Sequence, residues 1–323
     1  MTKRRSKGET QLVSHHDKAS PITETATICK TVMRKDDAIA LHPFSQVPEF
    51  LQINPYIIDG YRVHLSYQSC LKSLFVLSNE TINIWTHLLG FIIFAYLLVY
   101  DNMYIVPWTF QHLMDRIVVS STSLFYMSTL LLSTLFHLFH CHSEESYCKW
   151  LKIDVRGIGI GIIGGFLSGI YGAYYCHQAL LLTYSIASVG IIATSAFVLS
   201  RAKDEVINVR VGKMKLTVHR IYTYMLVVAF AFIPIGHFIY INGGFAVAFV
   251  RRFAFGAGIM LGWGLLGCLF LIFKFPECLF PGKFDYIASS HQFWHVCVFF
   301  LFYSWHHSCI DAVHFRILNQ CST

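Results

Sequence analysis

From Ile82 onward the chain alternates between apolar runs and short polar connections. Seven runs stand out: Ile82 to Tyr100, Ile117 to Phe139, Ile153 to Tyr175, Ala179 to Ser200, Thr217 to Ile241, Phe249 to Phe273, and Ser289 to Ile310. Each is close to the roughly 20 residues that carry a helix across the hydrocarbon core of a bilayer. The pattern predicts an all-α, polytopic seven-helix transmembrane bundle over residues 82–310, with a short tail at 311–323. Glycines crowd the third run (Gly157, Gly159, Gly161, Gly164, Gly165, Gly169, Gly172), which predicts a central helix whose small faces admit close neighbours. Pro234 predicts a kink in the fifth.

Residues 1–40 are polar, with no apolar period, and are expected to be a disordered tail. The basic start Lys3-Arg4-Arg5 is followed by polar residues where a signal peptide needs an apolar stretch. Residues 41–81 read as a juxtamembrane segment. Turn residues (Pro43, Pro48, Asn54-Pro55, Asp59-Gly60) make its first part a loop, and Leu71, Leu74, Phe75 and Leu77 then fall near one face of a short helix over Gln68 to Leu77, beside Lys72. Such a helix suits the membrane surface.

Composition agrees with the runs: 55% of residues are hydrophobic and 13% charged, against roughly a quarter charged in soluble domains. No basic run interleaved with aromatics points to nucleic acid. The placement of the basic residues orients the bundle. With the N-terminus in the cytosol, twenty Lys and Arg fall on the cytosolic side, including the cluster Arg201, Lys203, Arg210, Lys213, Lys215 and Arg220, and four (Arg116, Arg251, Arg252, Arg316) on the other. The C-terminus is thereby expected outside the cell or in a lumen. Ten cysteines without a CxxC pair read as packing thiols with no disulfide framework.

Orientation gives each polar residue a depth. His291 and His295 are one helical turn apart at the start of the seventh run, and Ser133 and His137 share a face at the cytosolic end of the second. Asp154 opens the third. A lone pair of interfacial histidines would suit backbone or headgroup contacts equally well. Five such residues at one depth point instead to a metal, because three imidazoles and an open fourth position are the ligand set of a catalytic zinc. A carboxylate there can hold or deprotonate water, and a hydroxyl can steady a developing oxyanion. Glu80, Asn83 and His87, at the start of the first run, are candidate supports for the ligands. His140 and His142 fall past a run's end, where solvation is expected; Cys141 and Cys148 would suit a closed structural site. His219, His237, His306 and His307 have no evident partner at their depth.

The set Ser133-x3-His137, Asp154 and His291-x3-His295, on the second, third and seventh runs, resembles the progestin and adipoQ receptor family, with hemolysin-III-like proteins and alkaline ceramidases as wider relatives. Within it, Asn54 to Arg62, Ser73 to Gly90, Pro276-Glu277, Phe280 to Gly282 and Ser289 to Gln292 most resemble a Golgi member that recruits Raf kinase. The resemblance implies zinc on His137, His291 and His295, with Asp154 holding water and Ser133 supporting it. It also implies one of two functions. One is a Golgi tether for Raf kinase that damps the Raf, MEK and ERK cascade. The other is a zinc-dependent intramembrane hydrolase or receptor acting on a ceramide-like lipid. Residues 1–40 depart from the pattern of the Golgi member.

Overall fold

The structure, a computed structural model, describes residues 39–201, 215–319 and 321. The polar tail and the charged positions between residues 202 and 214 lie outside the described residues. Among the described residues a short helix α1 (Tyr67–Lys72) precedes seven long ones: α2 (Thr81–Tyr100), α3 (Leu113–Phe139), α4 (Glu144–Tyr174), α5 (Gln178–Arg201), α6 (Lys215–Ile241), α7 (Ala248–Phe273) and α8 (Ser290–Leu318). Six are long and apolar enough to cross a membrane, and the apolar part of α6 is the shorter stretch Leu226–Ile241. Each predicted run thus lies on its own helix. The main departures are α4, which already begins at Glu144, ahead of the predicted Ile153, with the Ser143 side chain capping its first turn, and α8, which continues past Ile310 to Leu318, because Arg316 finds Asp115 on α3 and lies over the Tyr175 ring.

Helix α4 packs against α3, α5, α6 and α8, the central place expected of it. Between helices in lipid the gain comes from close van der Waals contact, which small residues permit. A Cβ on Gly161 would stand 2.6 Å from the Phe302 ring, and one on Gly169 would stand 2.6 Å from the Trp305 ring. The Trp305 indole donates to the Gly165 carbonyl at 3.0 Å, so the ring that fills the gap is also held. Around this seam Phe94, Tyr126, Leu130, Phe253 and Phe302 form the main core. On α6 the Pro234 carbonyl accepts from the Tyr174 hydroxyl at 2.5 Å.

The expected juxtamembrane loop is a folded cap. His42 and Tyr61 form an antiparallel bridge, and Val47, Leu51, Ile57 and Tyr61 bury themselves against Phe136 and Tyr147 at the α3–α4 end of the bundle. The α7–α8 connection closes over it. Asp285 accepts from the Ile58 amide at 2.9 Å, and the Tyr286 hydroxyl donates to Asp59 at 3.0 Å. Helix α1 is shorter than the predicted Gln68 to Leu77, giving way to a 3-10 turn at Ser73–Phe75. Leu71, Phe75 and Leu77 face outward, while Cys70 and Ser73 are buried.

The cysteine reading needs one correction: Cys176, just after α4, is disulfide-bonded to Cys321, just after α8, with Cα atoms 5.5 Å apart. Both lie on the side predicted to be outside the cytosol, where oxidation is permitted. Nothing in their spacing of 145 residues marks them as a pair.

Candidate metal centre

Helix α3 delivers His137 in its last turn, and α8 delivers His291 and His295 in its first two. One ring nitrogen from each comes within 4.8 Å of the others. His137 and His295 are buried and His291 is half-buried. The Nε2 atoms of His137 and His291 are 3.4 Å apart. Two nitrogens each about 2.0–2.1 Å from a tetrahedral zinc ion stand roughly 3.3–3.4 Å apart, so the donor set and its spacing fit that ion.

The histidines are held from behind. Glu80, at the head of α2, places Oε2 2.7 Å from Nδ1 of His137. A carboxylate accepts only, so Nδ1 carries the proton and the Nε2 lone pair faces the cluster. Burial pushes the Glu80 carboxyl up, but the adjacent His137 ring and its hydrogen bond, the nearby His140 and the Asn83 amide, donating at 2.7 Å, together hold it well below the usual carboxylate range. The His87 ring stacks on His295 at 3.9 Å between centroids, with Nε2 3.3 Å from the His295 carbonyl. The sequence expectation for Glu80, Asn83 and His87 as supports is met in position.

Two charged residues that sequence reasoning did not single out fix the helix ends. Arg62 is 2% exposed and donates to the His137 carbonyl at 2.6 Å and to the Ser73 hydroxyl at 2.6 Å, placing a cation at the negative end of α3. Glu277 is 0% exposed and accepts from the Ser290 amide at 2.8 Å and from the Asn54 side chain at 3.0 Å, placing an anion at the positive end of α8. Gln292 completes that end by accepting from the Ser289 amide at 3.3 Å. Both fall in segments that carry the family resemblance, but beyond that their sequence signal was a charge among turn and apolar residues beside a span.

Ser133 is buried one turn before His137, and the half-buried Asp154 faces the Ser133 hydroxyl close to His137. Neither contributes to the converging nitrogens. His140 is not solvated as expected: it is 7% exposed, Nδ1 lies 3.0 Å from the His137 carbonyl and Nε2 3.7 Å from Glu80, and burial pushes its pKa down to about 4. His142 is also engaged, with Nδ1 2.7 Å from the Leu65 carbonyl. His306, expected to lack a partner, lies 2.7 Å from Asp101, and His237 lies 2.8 Å from the Tyr184 hydroxyl. Asp101 was missed because it falls just beyond the first run, where the chain continues as a π-helical turn (Asp101–Ile105).

As a class, this is an α-helical integral membrane protein with a buried imidazole cluster fit for a metal at one end of its helices. Residues 75–305 match the haemolysin-III related family, and the chain belongs to that family, which includes the progestin and adipoQ receptors among its relatives. It is 36% identical over 284 residues to mouse (Mus musculus) progestin and adipoQ receptor family member 3, covering 88% of this chain and 89% of the relative. The human (Homo sapiens) protein of that name is 35% identical over the same length. The Drosophila melanogaster adiponectin receptor protein is 29% identical over 285 residues, 86% of this chain and 61% of the relative.

Proposed function

We propose that this chain is a Golgi membrane protein that recruits Raf kinase to its cytosolic face and damps the Raf, MEK and ERK cascade. In this reading α6 also crosses and brings the crossings to seven, the N-terminus is cytosolic, and zinc on His137, His291 and His295 holds the bundle's cytosolic end together. The observation that carries it is the cap. It is folded, it is tied to the histidine cluster through Arg62 on one side and Glu277 on the other, and it turns Ile53, Leu279 and Ile287 outward as exposed apolar residues. Such residues on an ordered surface suit a protein partner.

The cap also dictates how the reading is tested. Deleting Leu41 to Tyr67 would remove Arg62 and Asn54 and disturb the histidines, so outward-facing substitutions are the better probe. Ile53→Glu with Leu279→Glu is expected to reduce co-localisation of the kinase to background while zinc content stays at about one per chain. Kinase recruitment that survives in this variant overturns the reading.

A second reading rests on Ser133 and Asp154 beside the cluster: a zinc-dependent hydrolase acting on the amide of a ceramide-like lipid. Zinc, when bound, supplies a Lewis acid that polarises an oxygen of the substrate or of water. In this second reading Asp154 accepts a proton and Ser133 orients its carboxylate, while Glu80 keeps the His137 ring in one tautomer. Ser133→Ala with Asp154→Asn separates the two readings. Under the tether it leaves recruitment and zinc unchanged. Under the hydrolase it abolishes chelator-sensitive turnover of a ceramide panel by the purified protein.

A further inference from the structure

Two pairs of cysteines lie at opposite ends of the bundle, and only one is joined. Cys176 and Cys321 form a disulfide. At the other end, Cys70 on α1 and Cys141, just past α3, have sulfurs 3.7 Å apart, in van der Waals contact, and both are 0% exposed. In the orientation proposed above, the joined pair faces an oxidising space and the open pair a reducing one. We propose that Cys70 and Cys141 are a reversible oxidative-modification site, a dithiol that peroxide converts to a disulfide, fastening α1 and the cap to the end of α3.

The contacts around the pair favour this chemistry. Hydrogen bonding from Cys70 holds the Cys141 thiol below its ordinary value, with the Arg62 guanidinium adding to it against the effect of burial, and Cys70 is raised in turn. The same disulfide results whether Cys141 or Cys70 attacks first. With Cys141 as the nucleophile, its thiolate attacks peroxide and the O–O bond breaks, leaving a sulfenic acid on Cys141 and hydroxide, which takes up a proton to become water. The Cys70 sulfur then attacks the sulfenic sulfur, the S–S bond forms, and the hydroxyl leaves with the Cys70 proton as a second water. Access requires local opening of α1, which has only six residues and exposes Tyr67 and Leu71 on its outer side.

Closing the sulfurs from 3.7 Å to the bonded distance of about 2.0 Å draws α1 toward α3. That movement has a route to the histidine cluster. Ser73 donates to the Cys70 carbonyl at 2.6 Å, Arg62 donates to Ser73 at 2.6 Å, and Arg62 also donates to the His137 carbonyl at 2.6 Å. Oxidation of the pair therefore tightens the cap over the cluster.

The experiment uses the full-length, zinc-loaded protein in detergent, treated with graded hydrogen peroxide, blocked with N-ethylmaleimide, digested without reduction and mapped by mass spectrometry. The expected product is one peptide pair joining Cys70 to Cys141, lighter than the two thiol peptides by two hydrogen atoms and separated by dithiothreitol. Amide exchange over residues 67–76 is expected to slow on oxidation. Recovery of both cysteines as separate peptides, whether alkylated or over-oxidised to sulfinic acid, overturns the proposal. The wild-type map decides the matter without any variant; Cys141→Ser, checked for an intact Cys176–Cys321 bond, should leave Cys70 fully alkylated. Thiol chemistry and local amide exchange are the readouts, so the result stands apart from the kinase reading.

Discussion

Glu80 is not one of the three converging histidines, yet it decides which nitrogen of His137 faces them. Groups that orient a metal-binding histidine from behind typically account for about 10–100-fold in metal affinity. Glu80→Ala is therefore expected to weaken zinc binding by roughly that factor in a chelator competition, while the exposed Glu145→Ala leaves it unchanged. Equal affinities in the two variants would remove Glu80 from the site. At this scale the sequence was most legible where residues are four apart on one helix, as with His291 and His295, or where several span ends share a depth. It was least legible for Arg62 and Glu277. Arg62 meets the His137 carbonyl 75 residues away, and Glu277 meets Asn54 at a separation of 223. No periodicity encodes such a meeting, because it depends on how the cap and the α7–α8 connection fold over the helix ends.

The glycines of α4 are not equivalent, although they read alike in the sequence. A Cβ on Gly169 would press on the Trp305 ring, which packs in the core and is pinned by its bond to Gly165, whereas one on Gly159 would meet nothing within 4 Å. Gly169→Ala is expected to destabilise the bundle by about 1–3 kcal/mol, the usual cost of forcing a group into a packed interior. Gly159→Ala is expected to be neutral or to gain up to about 1 kcal/mol from the better helix former. Thermal denaturation in one detergent compares the two directly, and equal melting temperatures would mean that α4 and α8 are not packed this closely. Hydropathy located every long helix because desolvation of the backbone is the dominant local demand on a span. Ends followed other rules: α8 runs on because Arg316 has Asp115 to meet, and α1 stops early because Ser73 turns inward to Arg62.

Across the whole molecule, the proposed orientation draws on two features, the bias of Lys and Arg and the oxidised pair at the end opposite the cap. Tags before Thr2 and after Thr323 should become accessible on opposite sides of the membrane, and an impermeant maleimide should reach Cys176 and Cys321 only from the side of the C-terminal tag and only after reduction. Both tags on one side would refute an odd number of crossings. The disulfide was the feature least legible beforehand, since ten scattered cysteines mask one pair and all of them read as packing thiols. It also changes how the chain bears load. Because Cys176 and Cys321 are 145 residues apart, the bond closes a covalent ring around α5, α6, α7 and α8. Tension applied beyond Cys321 passes straight to the end of α4, in the middle of the bundle, and the four ringed helices carry none of it until the sulfurs part. Machinery that draws the chain out from that end must therefore pull two strands at once or first meet a reductant.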